Sequence, residues 1–235
     1  MMKGREITMS NKGHDDRFRA LCARIENEVS FPSIVLVSSA GDADGSSLTA
    51  YGVVRTFAQS QYRCALLDAN IWAPPPDFAV DVNLQRIEPR DLGVAATPIE
   101  SGVDYLSFAG EIATATISKR NVRVATSMLR NAYDVVVVDS SRLLDNSVAL
   151  LLASVADGIL LSLCFGRPEV DADRRIMAAV DRLDARVLGI VTTDAREVRR
   201  FRRRAELKPT TRREAWSRFV PPAEPRIIRS SMAAT

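Results

Sequence analysis

The sequence predicts a single three-layer α/β domain, in which helices cover both faces of a doubly wound, mostly parallel sheet. Short apolar runs alternate along the chain with segments whose apolar residues recur at helical spacing. Runs such as Ile34–Val37 and Tyr133–Asp139 are apolar almost throughout, which is typical of parallel strands buried on both faces. In sheets of this kind, ligands bind at the carboxyl ends of the strands.

The elements follow one another in a regular order. An amphipathic helix is expected over residues 15–27, and strands are expected over residues 34–37, 63–68, 103–108, 133–139, 158–164 and 186–192. The intervening helices are expected over residues 46–59, 117–130, 146–156 and 170–183. Residues 71–96 begin with a run of prolines and are expected to be irregular. We expect a flexible tail over residues 1–14, the domain over residues 15–208 and a basic tail over residues 209–235.

Composition excludes several classes of protein. No apolar run reaches the roughly 18 residues that a membrane-spanning helix needs. The first sixteen residues are polar and lack the apolar centre of a signal peptide, so we expect a cytoplasmic protein. His14 is the only histidine, and the three cysteines have no metal or redox spacing. These features exclude a multi-histidine metal site and argue against a Ser-His-Asp triad.

Basic residues are concentrated near the carboxyl end. Residues 196–229 hold twelve basic and four acidic side chains and so carry +8, which leaves −5 for the rest because the whole chain is at +3. Five of these residues form a dense basic patch, namely Arg199, Arg200, Arg202, Arg203 and Arg204. Such density favours an anionic partner, either a lipid surface, a protein or DNA. A merely solvated helix is the alternative.

Three features converge on one predicted sheet edge. The turn after the first strand leads through Gly45, Ser46 and Ser47 into a helix, and two later strands end in Asp68 and Asp139. A loop of this type wraps phosphates with its backbone N–H groups, while a lysine neutralises them and a hydroxyl binds magnesium. The sequence therefore predicts a nucleotide-type site, with Ser47, Asp68 and Asp139 as its magnesium ligands if the metal is bound.

The motifs at this edge resemble those of the bacterial tyrosine kinases of polysaccharide export (BY-kinases, CpsD/CapB-like), within the ParA/MinD class of P-loop ATPases. Residues 38–47 are similar in register to the family loop TSAxPGEGKS, residues 65–70 to its LLIDAD motif and residues 133–139 to its YDLVIID motif. Residues 148–167 and 186–191 also resemble family segments in the same order. The segment that begins with Asp16 and Arg19 resembles the family's amino-terminal assembly helix, which implies a homo-oligomer.

The loop departs from the family pattern where the chemistry is concentrated. Ser46 stands where the family has its lysine, Ala43 replaces a glycine, and Asp42 and Asp44 add two carboxylates. Like charges at about 4 Å repel by roughly 1 to 4 kcal/mol, and phosphoryl transfer depends mainly on electrostatic positioning. We therefore expect no resident cofactor and no catalytic residues, with Mg-ATP or Mg-ADP bound only if the site still functions.

Other departures agree with this expectation. Asn70 replaces an acid of the LLIDAD motif, Cys22 replaces an arginine of the assembly motif, and no tyrosine follows Tyr133. The resemblance then implies a degenerate pseudo-kinase of exopolysaccharide biosynthesis. Its partner would be the cytoplasmic part of a membrane polysaccharide co-polymerase at the inner membrane. Two alternatives remain, a weak ATPase or tyrosine kinase with a non-standard loop, and a ParA-like module that binds DNA without sequence preference.

Overall fold

The computed structural model describes residues 12–39, 41, 45–69, 95–108, 117–140, 142–144, 147–165, 170–183 and 185–206. Seven strands form one sheet: β1 (Ser33–Ser39), β2 (Cys64–Ala69), β3 (Thr97–Glu100), β4 (Val103–Ser107), β5 (Val135–Ser140), β6 (Gly158–Phe165) and β7 (Val187–Asp194). The helices are α1 (Lys12–Glu28), α2 (Ser46–Gln59), α3 (Lys119–Ala132), α4 (Ser147–Ala153), α5 (Val170–Arg182) and α6 (Ala195–Glu206).

The strand order is β3-β4-β2-β5-β1-β6-β7, and every pair is parallel except β3 with β4. Strands β2, β4 and β3 lie on one side of the central pair β5 and β1, and strands β6 and β7 lie on the other side. The direction in which the chain adds strands therefore reverses at the centre of the sheet. Parallel strands place their carboxyl ends at one edge, so the turn after β1 and the ends of β2 and β5 lie side by side there. The fold thus forms the predicted site edge.

The two faces of the sheet have separate hydrophobic cores. In β1, Ile34 and Leu36 enter one core while Val35 and Val37 enter the other, and all four are almost completely inaccessible to solvent. The same alternation runs through the four valines of β5. Because both faces of the sheet are covered, none of these side chains reaches solvent, and the strands are apolar throughout as predicted. This is the physical reason for the two-sided layer structure.

Helices α1 and α2 cover one face of the sheet. Phe18, Cys22 and Ile25 of α1 are buried at helical spacing against α2. Gly52 of α2 makes this packing possible, because a Cβ at that position would lie 2.2 Å from the Phe18 ring. The buried Cys22 therefore belongs to the packing between the two helices.

The opposite face is covered by α3, α4 and α5. Helix α3 begins with a capping box in which Ser118 and Asn121 bond each other's backbone N–H groups. Its Val122, Ala125 and Leu129 enter the core, which leaves the other side of the helix exposed. None of the helices in the described part of the chain is long and apolar enough to cross a bilayer.

The predicted fold class is confirmed, and each predicted strand and helix within the described residues is present with shifted ends. Strand β3 was not predicted. It has only four residues, includes Pro98 and pairs antiparallel at the outer edge of the sheet, so it has neither the length nor the apolar pattern of a central strand. Most of the irregular segment predicted over residues 71–96 lies outside the described residues, while Ala95 and Ala96 are buried.

Candidate functional site

Gly45 forms the junction between the phosphate-type loop and α2. Its φ of 79° lies in the left-handed region, which a glycine adopts without strain. A Cβ at this position would lie 2.8 Å from Thr193 Cγ2 and 3.0 Å from Val198 Cγ2. Both of these side chains are buried. The end of β7 and the first turn of α6 therefore pack directly against the loop, and only glycine fits between them.

The first turn of α2 presents two serines to this edge. Ser46 and Ser47 are both half-buried, and the helix has no acidic residue in its first turn. The Ser47 hydroxyl donates a hydrogen bond to the Asp139 carboxyl group, which links α2 to the end of β5. The first helical position, where the resembling family has its lysine, therefore contributes only a neutral hydroxyl.

Asp68 and Asp139 are directly paired in the register of β2 and β5. Paired positions of neighbouring strands are about 4.8 Å apart and face the same side of the sheet, so the two carboxylates lie close together. The Tyr105 hydroxyl donates to Asp68 Oδ2 at 2.5 Å. Asp139 is 9% exposed, and its Oδ1 has no hydrogen-bond partner among the residues that the structure describes.

Burial, together with the negative charge of Asp68, raises the pKa of Asp139 to about 8. The hydrogen bond from Ser47 opposes this shift because it stabilises the carboxylate. The carboxyl group of Asp139 therefore carries a proton at neutral pH in this environment.

The oxygen atoms at this edge suit a hard divalent cation. Mg²⁺ binds oxygen ligands and keeps several waters, so the Ser47 hydroxyl and the unpartnered Asp139 Oδ1 fit it chemically. The ion would have to displace the proton of Asp139. Within the described ranges, no group of three or more His, Cys, Asp or Glu side chains could hold a metal on its own.

The start of α2 presents no positively charged side chain to this edge. Phosphate oxygens need a compensating cation near the start of the helix, and Ser46 supplies none. Asp42 and Asp44 lie outside the described residues. A basic residue, Arg142, follows β5 on the neighbouring turn, where the Leu143 N–H donates to the Ser39 carbonyl at 3.3 Å. Its side chain is half-buried.

The structure therefore brings Gly45, Ser46, Ser47, Asp68 and Asp139 to one edge of the sheet. Their role towards nucleotide stays a prediction. Sequence reasoning did not find Tyr105, Arg142, Thr193 or Val198, since each joins the edge through a contact between distant parts of the chain. Only their positions near the ends of neighbouring strands could have indicated them.

The other predicted surface residues are exposed wherever the structure describes their side chains. Asp16 and Arg19 are exposed on α1 and form an ion pair with each other at 3.0 Å. This pair, three residues apart on one helix, is satisfied without an oligomer partner. Arg199 and Arg200 are exposed on α6, whereas the side chains of Arg202, Arg203 and Arg204 lie outside the described set. The assembly and partner roles stay predictions.

Comparison with solved structures places the chain in the P-loop ParA/MinD type of α/β fold. The chimerical protein CapA2B2 is similar with a TM-score of 0.61 and 15% identity, over 81% of this chain and 87% of that one. The kinase domain of the Escherichia coli tyrosine kinase ETK gives 0.55 and 17%, over 76% and 72%. A plasmid partition protein from Borrelia burgdorferi gives 0.52 and 15%, over 68% and 78%.

The structural similarity establishes the fold. It leaves the activity open, because tyrosine kinases and partition proteins share this fold. No protein-family model matches the sequence, and no curated protein matches it significantly. The function must therefore be argued from the site.

Proposed function

We propose that this chain is a degenerate relative of the bacterial tyrosine kinases that acts by binding in exopolysaccharide biosynthesis or export. The observation that carries the proposal is Ser46 at the first position of α2, where a phosphate-binding loop needs its lysine. The tyrosine kinase domains among the structural neighbours support the kinase branch of the fold. By the resemblance of its motifs, the partner is the cytoplasmic part of a membrane polysaccharide co-polymerase.

The electrostatics of the edge support a non-catalytic role. Two carboxyl groups lie side by side, and one of them keeps a proton because its charge cannot be accommodated. A bound triphosphate would add several negative charges to this edge with no lysine to offset them. Weak nucleotide binding without turnover is the expected behaviour.

Calorimetry with Mg-ATP and Mg-ADP tests this proposal. We expect no micromolar binding by the natural protein, and a gain of at least about tenfold in affinity for Ser46→Lys, since one lysine–phosphate interaction is worth roughly 1.4 kcal/mol or more. Ser60→Lys adds the same charge at the opposite end of α2 and is expected to change nothing. Micromolar binding with turnover by the natural protein would refute the proposal.

The partner is tested separately. Purified cytoplasmic segments of a co-polymerase encoded beside this chain's gene should bind it with the same affinity in the presence and absence of Mg-ATP. Binding that requires nucleotide would indicate a working switch and contradict a pseudo-kinase.

Arg142 favours a second candidate function, a weak Mg-nucleotide-binding protein with a non-standard cation. It is a half-buried arginine on the turn that follows the Asp139 strand, beside the end of β1. An arginine on that turn can neutralise phosphate oxygens, and Arg binds phosphate with bidentate geometry. If this candidate is correct, the natural protein binds Mg-ADP and Arg142→Gln abolishes the binding.

A further inference from the structure

One side of α3 carries a basic surface that is separate from the candidate nucleotide site. A shallow cavity of about 430 Å³ lies along it. We call this surface the basic face of α3, and its residues are Lys119, Arg120, Arg123, Val124, Ser127 and Met128. Each of the six lies three or four positions from another, so they form one stripe opposite the buried side of the helix. The surface is therefore continuous and belongs to a single element.

The charge of this face is not balanced by neighbouring acids. Lys119, Arg120 and Arg123 are exposed, and none of them forms an ion pair with any residue in the described ranges. The first turn of α3 has no acidic residue. Cations at the amino end of a helix oppose the helix dipole and lower its stability. The arrangement thus favours an anionic ligand that offsets this cost.

An apolar component lies among these cations. Val124 is 38% exposed in the middle of the stripe, and the half-buried Met128 extends from it towards the core. Basic residues close to a membrane surface are attracted to anionic lipids, by about 1 kcal/mol for each Lys or Arg. Three basic residues attract an anionic bilayer electrostatically, and the valine can enter the headgroup region.

We propose that the basic face of α3 binds an anionic phospholipid surface. A stable protein interface buries about 800 Å² on each partner around an apolar centre. This face offers one exposed apolar side chain among three cations, which suits a bilayer better than a protein. All of its lining residues within the described part of the chain belong to α3.

The topology places a second basic element near the same edge of the sheet. Strands β4 and β5 both run parallel to β2, so α3, which connects them, begins at the carboxyl edge. Helix α6 follows β7 directly and begins at that edge too, with Arg199 and Arg200 exposed. Two basic helix starts at one edge can meet one planar surface. The lipid contact of α3 depends neither on the pseudo-kinase proposal nor on the co-polymerase.

Co-sedimentation of the full chain with vesicles tests the proposal. We expect binding to phosphatidylcholine vesicles that contain phosphatidylglycerol, and none to phosphatidylcholine alone. Each basic residue near an anionic surface contributes about fivefold in affinity. The double variant Arg120→Gln, Arg123→Gln should therefore bind about 25-fold more weakly.

The matched control removes two exposed arginines from another helix on the same face of the sheet, Arg174→Gln and Arg175→Gln in α5. It should bind like the natural protein, and thermal unfolding of both double variants should show that they remain folded. The Arg199→Gln, Arg200→Gln variant of α6 measures the arm separately.

Three results would overturn the inference. The first is equal binding by the α3 variant and the natural protein, which would place the contact elsewhere. The second is an equal loss in the α5 control, which would show a response to net charge alone. The third is binding to polyglutamate with no binding to anionic vesicles, which would point to an acidic protein partner.

Discussion

Asp139 gives the fold a pH dependence that can be measured directly. Its folded-state pKa is raised from the ordinary 3.8 to about 8 by burial and by the charge of Asp68. The folded protein therefore keeps a proton that the unfolded chain releases above about pH 4. The free energy of unfolding falls as pH rises through this window, by about 1.4 kcal/mol per pH unit. Between about pH 5 and pH 7 the loss is about 3 kcal/mol.

The perturbation is Asp139→Asn, which keeps an acceptor for the Ser47 hydroxyl and removes the titration. We expect the variant to lack this slope and to be more stable than the natural protein at pH 7, because it has no carboxylate to bury. Urea unfolding followed by circular dichroism, with EDTA present, measures the free energy at several pH values.

Asp134→Asn is the control. Hydrogen bonds from Arg63 hold the pKa of Asp134 below its usual value, so its contribution is lost only as pH falls below this window. Its variant should therefore keep the natural slope between about pH 5 and pH 7. Coincident slopes for the natural protein and Asp139→Asn would refute the reasoning, because the proton would then not be held at Asp139.

Three further predictions concern the packing of buried residues. Gly45→Ala should destabilise the fold by about 2 to 4 kcal/mol, because the new Cβ clashes with its neighbours and the positive φ is strained. Gly102→Ala is the control: its φ is also positive, but the nearest atom to its Cβ is 3.4 Å away, so it should cost about 1 kcal/mol. Urea unfolding measures both. Gly52→Ala should displace the Phe18 ring, and hydrogen exchange should then show faster opening of α1. Native thiols should resist an aromatic disulfide reagent at about pH 8 and react in urea, because Cys22, Cys64 and Cys164 are all buried. Burial also raises the pKa of Cys22 and of Cys64 to about 12.

The sequence predicted the fold where local pattern and burial coincide. The strand β5 is apolar because both cores contact it, and this two-sided burial is visible in the residues themselves. The sequence also predicted that Asp68 and Asp139 lie at one sheet edge, since both close a buried run. Their direct pairing depends on the strand order, which the sequence did not predict. Residues that directly follow a buried strand can therefore be located from the sequence.

Other features needed contacts that the sequence does not display. Strand β3 depends on pairing with β4 at the sheet edge, and its Pro98 hides the pattern. The approach of Thr193 and Val198 to Gly45 joins residues almost 150 positions apart. The raised pKa of Asp139 likewise depends on burial by several elements. These are tertiary effects, so no local periodicity reports them.

The shape of the loop edge and its charge are held by different interactions, and they can change independently. Thr193 and Val198 fix the position of Gly45 by packing, and the hydrogen bond from Ser47 to Asp139 joins α2 to β5 within the chain. None of these contacts needs a ligand. A change of charge at position 46 would therefore alter the attraction for phosphate without removing the fold of the edge. Ser46→Lys probes the charge and Gly45→Ala probes the shape. If the first also destabilised the protein as much as the second, this separation would be wrong.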